Sequence, residues 1–302
     1  MSIEWGKVVM TGNHTAAEIG SQPDLWRRAV SDVADGAAAA LPRPGERVAV
    51  VGCGTSWFIA QAYAALREAA GQGETDAFAA SEFPFGRRYD RVLALTRSGT
   101  TTEVLELLDR TDLPTVAITA DPSTPVMTAA DELIVLDYAD ERSVVQTRFA
   151  TSQLVLLRAH LGQDLDRAIA DAEVALAEPL PEAALAAEQF TFLGRGWTVG
   201  LAHEAALKMR EAATAWTESY PAMEYRHGPI AITGPGRVAW MLGDPPPGLA
   251  DQVAGVGGTM LVSPLDPLAE LVRVQRLALH LALRAGHDPD TPRNLTRSVI
   301  LG

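Results

Sequence analysis

Cysteine is nearly missing from this chain: Cys53 is the only one in 302 residues. A single thiol excludes an internal disulfide framework and fits a reducing compartment, so a cytoplasmic protein is expected. Long apolar runs are missing too, with no stretch near the roughly 18 residues that suggest a membrane-crossing helix. The opening residues MSIEWGKVVMTGNHTAAEIG hold no basic region followed by an apolar one, so no signal peptide is expected. Positive charge is short: 25 Lys and Arg against 38 Asp and Glu give a net charge of −13. Nucleic-acid backbones need clustered cations, which argues against nucleic acid as a partner. A small anion stays open, because backbone N–H groups and hydroxyls can hold one inside an acidic protein.

Metal-ligand spacing is also lacking. The six histidines, His14, His160, His203, His227, His280 and His287, form no pair on one element, so no metal is expected. His160, His203 and His280 read as structural, and His287 as an exposed turn residue. Nucleotide loops of the common kinds are absent: there is no G-x-x-x-x-G-K-[ST], and GRGWTVG at 194–200 misses G-x-G-x-x-G by one residue. No cofactor is expected.

What is present is ordinary globular material, 47% hydrophobic and 21% charged, enough for one large domain or two average ones. Continuous apolar runs alternate with helical patterns. RVAVVG (47–52), RVLALT (91–96), PTVAITA (114–120) and ELIVLDY (132–138) read as buried strands. TSWFIAQAYAALREAA and TTEVLELLDR read as helices between them. The Ala- and Glu-rich stretch around 163–189 reads as helical linking structure. Then the alternation resumes with FTFLG, a long helix over about 198–217, RVAWML, TMLVS and a last helix ELVRVQRLALHLALRAG. Buried strands alternating with helices predict an α/β protein of two consecutive halves, each a parallel sheet covered on both faces.

Two turns in the first half follow one plan. GCGTS at 52–56 and TRSGTTTE at 96–103 each carry glycine and hydroxyls between a strand and a helix. Such a turn offers close backbone approach, free N–H groups and the positive end of a helix dipole. Either one alone could be plain N-capping by Ser or Thr. Two of them at the carboxyl edge of one sheet favour a phosphate cradle. Cys53, inside the first turn, reads as a space-filling residue.

In the second half, Glu204, Lys208 and Glu211 recur at i, i+4 and i+7 and share one helix face. They read either as a solvated ladder or, on so apolar a helix, as an acid–base cluster. ESYPAMEYRHGPIA at 218–231 follows, and its His227 is fixed by Gly228-Pro229.

Together these motifs resemble the sugar isomerase (SIS) family, and within it the isomerase half of glucosamine-6-phosphate synthase. The resemblance rests on EIGSQPDLWRRAV, GCGTSW, ASEFPF, TRSGTTTE, SVVQTRFATSQLVLL, LGRGWTVGLAHEAALKMRE, ESYPAMEYRHGPIA and DPDTPRNLTRSVIL. It implies two tandem SIS domains of flavodoxin-like, Rossmann-like three-layer build. The expected division is an N-terminal segment at 1–24, a phosphosugar-binding domain at 25–165, a helical linker at 166–185, and a second domain with the tail at 186–302. It further implies a 6-phosphosugar whose phosphate sits on Thr55, Ser56, Thr96, Arg97, Ser98 and Thr101, with Val144 and Gln146 near the sugar. Glu211 is implied as the base at sugar C1/C2 and His227 as the ring-opening group. His227 would reach in from the other subunit of a homodimer, and Lys208 and Glu204 would line the same pocket.

Two departures shape the expected chemistry. Only about 20 residues precede the first domain, so a stand-alone member without a glutaminase domain is expected. At the tail, Arg297 stands where the synthase carries an imine-forming Lys. A guanidinium is never a free amine in practice, so that Schiff base is closed, although Arg297 can still clamp a hydroxyl or phosphate. The expectation is therefore an enzyme abstracting the C2 proton of a glucosamine- or N-acetylglucosamine-6-phosphate type sugar, giving isomerisation or deamination. The alternatives are a dehydratase eliminating the 3-hydroxyl of an N-acylated sugar, and a non-catalytic phosphosugar sensor.

Overall fold

A computed structural model of the protein describes residues 12–301. Residues 1–11 of the expected N-terminal segment, and residue 302, lie outside that range. The described chain opens with α1 (Asn13–Gly20) and α2 (Gln22–Ala34), then runs β1 (Val48–Gly52), α3 (Thr55–Ala69), β2 (Thr75–Ala79), β3 (Arg91–Leu95), α4 (Thr102–Arg110), β4 (Thr115–Thr119), α5 (Val126–Ala129) and β5 (Glu132–Val135). Three helices follow, α6 (Arg148–His160), α7 (Asp166–Ala177) and α8 (Glu182–Ala186). The remainder is β6 (Gln189–Gly194), α9 (Thr198–Ala213), β7 (Thr217–Pro221), β8 (Arg237–Met241), α10 (Leu249–Gly255), β9 (Thr259–Leu261) and α11 (Pro267–Arg284).

The strands form two parallel sheets, ordered β2-β1-β3-β4-β5 and β7-β6-β8-β9. Both start in the middle, step to one edge and return toward the other, so the second sheet repeats the order of the first with one strand fewer. The apolar runs split by the two-residue period of a strand. Val48, Val50, Leu93, Leu95, Val116 and Ile118 join Phe190, Phe192, Val238 and Trp240 in one core between the sheets. Their neighbours Ala49, Val51, Val92, Ala94 and Ala117 face a second cluster under α4. Leu193, Ala239 and Met241 face a third under α10. Burial on both faces is why these strands read as unbroken apolar runs.

Helices α2, α3, α6, α7, α9 and α11 supply the shared core between the sheets. The segment expected as a linker takes part in it, since Ala168, Ile169, Ala172 and Ala175 of α7 are buried against that core. Three elements differ from expectation. The long helix stops at Ala213, where Thr214 turns into the left-handed region (φ 52°), and Thr217 already belongs to β7. β7 and β2 were not anticipated as strands. Both are sheet edges and carry polar residues, TESYP and TDAFA, because only part of an edge strand needs cover.

The two halves meet where α3 crosses α9. Gly200 makes this possible: a Cβ there would lie 2.4 Å from the Phe58 carbonyl oxygen and 2.8 Å from the Ala62 nitrogen. Backbone cannot yield as a flexible side chain can. Gly200→Ala is therefore expected to destabilise the protein by about 1–3 kcal/mol through overpacking. Denaturant unfolding checks this, and an unchanged midpoint would mean that the α3–α9 contact has slack.

Candidate active site

The first turn leaves β1 through Gly52, which must be glycine because a Cβ would come within 2.7 Å of Ser56. Gly54 follows at φ 55°, and Thr55 and Ser56 then open α3, both buried. The second half repeats the device: Gly194 would meet the Thr198 carbonyl oxygen at 2.2 Å and Gly196 has φ 55°. A shared G-x-G-x-[ST] pattern, 52–56 and 194–198, was legible in the sequence and was missed there.

The second turn runs 96–101 between β3 and α4. Ser98 Oγ accepts hydrogen bonds from the Thr100 amide (3.3 Å) and the Thr100 hydroxyl (3.0 Å). Gly99 (φ 63°) lies so close to Thr124 that a Cβ would fall 2.1 Å from its hydroxyl. Thr96, Arg97 and Ser98 are buried, and the Thr96 hydroxyl has no hydrogen-bond partner. Both turns lie at the carboxyl edge of the first sheet, where the N-termini of α3 and α4 converge. An open depression of about 500 Å³, lined by Leu108, Asp112, Pro114 and Asp131, lies by the amino ends of β4 and β5, away from both turns.

Arg97 does not extend into open space. Its guanidinium contacts Glu141 Oε2 (3.4 Å) and donates to the carbonyls of Ser143 (3.2 Å), Val144 (3.2 Å) and Arg297 (3.1 Å). Glu141, fully buried, also accepts from the Thr147 amide (2.5 Å), the Thr147 hydroxyl (2.8 Å) and the Arg148 amide (2.8 Å), so it caps α6. Burial pushes the Glu141 carboxyl up from the usual carboxylate range, against the pull of the Arg97 charge. Glu18 of α1 holds the same loop through the amides of Arg142 (2.6 Å) and Ser143 (3.3 Å) and the Ser143 hydroxyl. Val144 and Gln146 are thus carried on a loop fixed from three sides, and both are half-buried. Glu141 and Glu18 were missed in the sequence, because isolated carboxylates carry no local pattern and their partners lie far along the chain.

The tail lies across the second turn. The Thr102 amide donates to the Val299 carbonyl (3.2 Å), the Leu301 amide donates to Thr102 Oγ1 (2.9 Å), and the Ser298 and Thr100 hydroxyls are 2.8 Å apart. Arg297 forms an ion pair with Asp140 (2.5 Å) and donates to the Glu141 carbonyl.

On α9 the expected face is internal. Glu204 and Lys208 are fully buried and Glu211 is mostly so. The Lys208 ammonium donates to Glu211 Oε2 (2.5 Å) and Thr55 Oγ1 (2.9 Å), and pairs with Glu204 Oε1 (3.3 Å). Thr55 in turn donates to Glu204 Oε1 at 3.2 Å. The structure therefore brings Glu204, Lys208 and Glu211 together with the first turn. Burial works to lower the Lys208 pKa, but the two carboxylates outweigh it and raise it, so the ammonium stays charged. Burial pushes Glu204 up to about 7 despite Lys208 beside it. His227 is not part of this group: it sits exposed on a short 3-10 turn, Glu224–His227. His287, expected exposed, is half-buried and lies 3.2 Å from the Thr214 hydroxyl. Among the described residues no group of three or more His, Cys, Asp or Glu could hold a metal ion, and no helix is long and apolar enough to cross a membrane.

No family model matches the chain. Curated relatives do. The isomerizing glutamine–fructose-6-phosphate aminotransferase of Gloeobacter violaceus is 30% identical over 318 residues, covering 84% of this chain and 52% of the relative. That of Methanothermobacter thermautotrophicus is 29% identical over 303 residues, covering 84% and 51%. The chain thus spans about half the length of the curated relatives it matches. Among solved structures, glucosamine-6-phosphate deaminase from Thermotoga maritima aligns with TM-score 0.78 and 23% identity, covering 96% of this chain and 99% of that one. Tagatose-6-phosphate ketose/aldose isomerase from Escherichia coli aligns with TM-score 0.77 and 18% identity, covering 94% and 97%. The two-sheet fold is shared with these solved structures, and over 84% of its length the chain is similar in sequence to one part of the isomerizing aminotransferases.

Glu204 gives a pH test. An unfolded Glu titrates near 4.5 and the folded one near 7, so between those values the folded state holds a proton that the unfolded state has released. This group's contribution to stability is present below 4.5 and is lost as pH rises toward 7. Glu204→Gln should remove that loss, so the variant's melting temperature gains on the wild type between about pH 5 and about pH 8. Parallel curves in thermal scans would mean that Glu204 is ionised throughout.

Proposed function

We propose that this protein is a phosphosugar-converting enzyme that removes the C2 proton of a 6-phosphorylated amino sugar, of glucosamine or N-acetylglucosamine type. The observation that carries the proposal is the Lys208 bridge: it ties Glu211, on α9 of the second half, to Thr55, on the first turn of the first half. A carboxylate is thereby held beside a turn whose helix dipole and N–H groups suit an anion. In this reading the two halves are tandem SIS modules, bounded about as the sequence divides them. The phosphate sits on Ser56, Ser98, Thr101 and the turn amides, with Val144 and Gln146 along the sugar.

The chemistry then follows from positions. With the ring open, Glu211 takes the proton from C2 beside the C1 carbonyl, leaving an enediol or enamine. Lys208, charged and next to Glu211, stabilises the carboxylate before transfer and the developing negative charge after it. Return of the proton at C1 completes an aldose–ketose isomerisation when C2 bears a hydroxyl. When C2 bears an amine it gives the C2 imine, which water hydrolyses to the ketose and ammonia. Elimination of the 3-hydroxyl is the second reading, and Arg297 supports it: an ion-paired guanidinium supplies no amine for the imine route that moves nitrogen on and off. His227, exposed and apart from the Glu211 cluster, fits the ring-opening role only if it serves a second copy of the chain, as in a homodimer with shared sites.

Glu211→Gln is expected to slow deuterium exchange at sugar C2 by roughly 10²- to 10⁴-fold while phosphosugar binding by calorimetry stays near wild type. Wild-type exchange in that variant, or none by the wild type on any such sugar, would sink the proposal. Mixing His227→Ala with Glu211→Gln protein should restore exchange, since each mixed dimer would hold one intact site. Reassembled mixtures as inactive as their parents would make each site the property of one chain. An unsaturated, ultraviolet-absorbing product would select elimination.

A further inference from the structure

The sequence groups Thr55 with Ser56 as phosphate ligands, yet the hydrogen-bond geometry separates them. A threonine hydroxyl has one proton to donate, and phosphate oxygens need donors. The Thr55 proton is directed to Glu204 Oε1 at 3.2 Å, and a lone pair on the same oxygen receives Lys208 Nζ at 2.9 Å. All three groups are buried, at 4% exposure or less, so water cannot replace a lost bond without entering the core. Lys208 donates to Thr55 at 2.9 Å and Glu211 at 2.5 Å, and its third direction faces Glu204 in an ion pair at 3.3 Å. Without Thr55 the ammonium would be drawn toward the two carboxylates alone, and its hold on Glu211 would lose one of three fixed directions.

We propose that Thr55 is a positioning residue, whose hydroxyl sets Lys208 and through it Glu211, and that it does not bind the phosphate. The inference rests on Glu211 being the base. A positioning group acts on the step that Glu211 performs, whereas a phosphate ligand acts on substrate affinity, so the two roles divide between kcat and KM. It also assigns the donors of the first turn to Ser56 and the backbone amides, and gives α3 a second task as the support of α9.

The experiment compares Thr55→Val, Thr55→Ser and Ser98→Ala in the full-length protein, on whichever 6-phosphosugar the wild type turns over. Loss of a hydrogen bond to a buried charged group corresponds to about 10- to 100-fold. Thr55→Val should lose that factor in kcat with KM within about threefold of wild type, and Thr55→Ser should recover most of it. Ser98→Ala should instead raise KM. A Thr55→Val protein whose KM rises while kcat holds, or a Ser variant as impaired as the Val one, would overturn the positioning role. If Thr55→Val does not fold, Thr55→Ala removes the hydroxyl without added bulk and should give the same kcat loss. Unfolding of both would make the hydroxyl a folding element and overturn the inference as well. Failure of the wild type on every sugar phosphate would fall on the enzyme reading itself, and is distinguishable because it precedes any variant.

Discussion

A charged ammonium with almost no access to water is the constraint from which the rest of this structure follows. Lys208 cannot sit in a core unless its bonds are met, and a buried charge left unpaired costs several kcal/mol. Two of its partners come from its own helix, one turn away on either side, and the third comes from the other half of the chain. That third contact requires α3 and α9 to lie close, and Gly200 is the residue that lets their backbones approach. The same crossing places the end of one sheet's first turn against a carboxylate that the other sheet's helix carries. Packing and chemistry therefore share one contact, and neither half could hold this arrangement alone.

A second buried charge organises the neighbouring wall. Arg97 binds Glu141 and three backbone carbonyls, so it joins the second turn, the loop before α6 and the tail at a single guanidinium. The planar fork of arginine suits this, since it reaches several acceptors at once where an ammonium would act as a point charge. Its neighbour Arg297 contributes a carbonyl to that fork and a side chain to Asp140. The position that the resemblance gives to an imine-forming amine is thus filled by a group that fastens the tail to the loop. Arg297 thereby makes a fixed contact between residues far apart in sequence.

Much of the fold was legible because strands buried on both faces leave long apolar runs, and helices between them leave a 3.6-residue period. The edge strands β2 and β7 were not, since TDAFA and TESYP meet neither pattern and are held by one neighbour each. The overlong reading of α9 has a local cause: the helical spacing continues past Ala213, and nothing in Thr214 announces its left-handed backbone. In the site, the hydroxyl-rich turns and the Glu204–Lys208–Glu211 face were visible as motifs. The direction in which Arg97 and Thr55 point was not, because it is set by Glu141 and Glu204, which lie 44 and 149 positions away. Motif reading finds which residues gather, and only packing decides where their donors go.

The repeated architecture raises the question of why the hydroxyl-rich second turn belongs to the first half alone. Both halves keep the G-x-G-x-[ST] turn after their first strand, with the same close approach and the same positive φ. They part at the next turn. After β3 the chain reads TRSGTT and leads into α4, whereas after β8 it reads GDPPPG and leads into α10. Three prolines remove three N–H donors, Asp244 adds a negative charge, and no hydroxyl remains, so an anion there meets repulsion where the first half offers bonds. Freed of that task, the second half can spend its first helix differently: α9 turns its carboxylates and Lys208 inward across the crossing, to the turn that kept its hydroxyls. The two halves part at these turns, one rich in hydroxyls and one in prolines, and the helix that carries Glu204, Lys208 and Glu211 belongs to the proline-rich half.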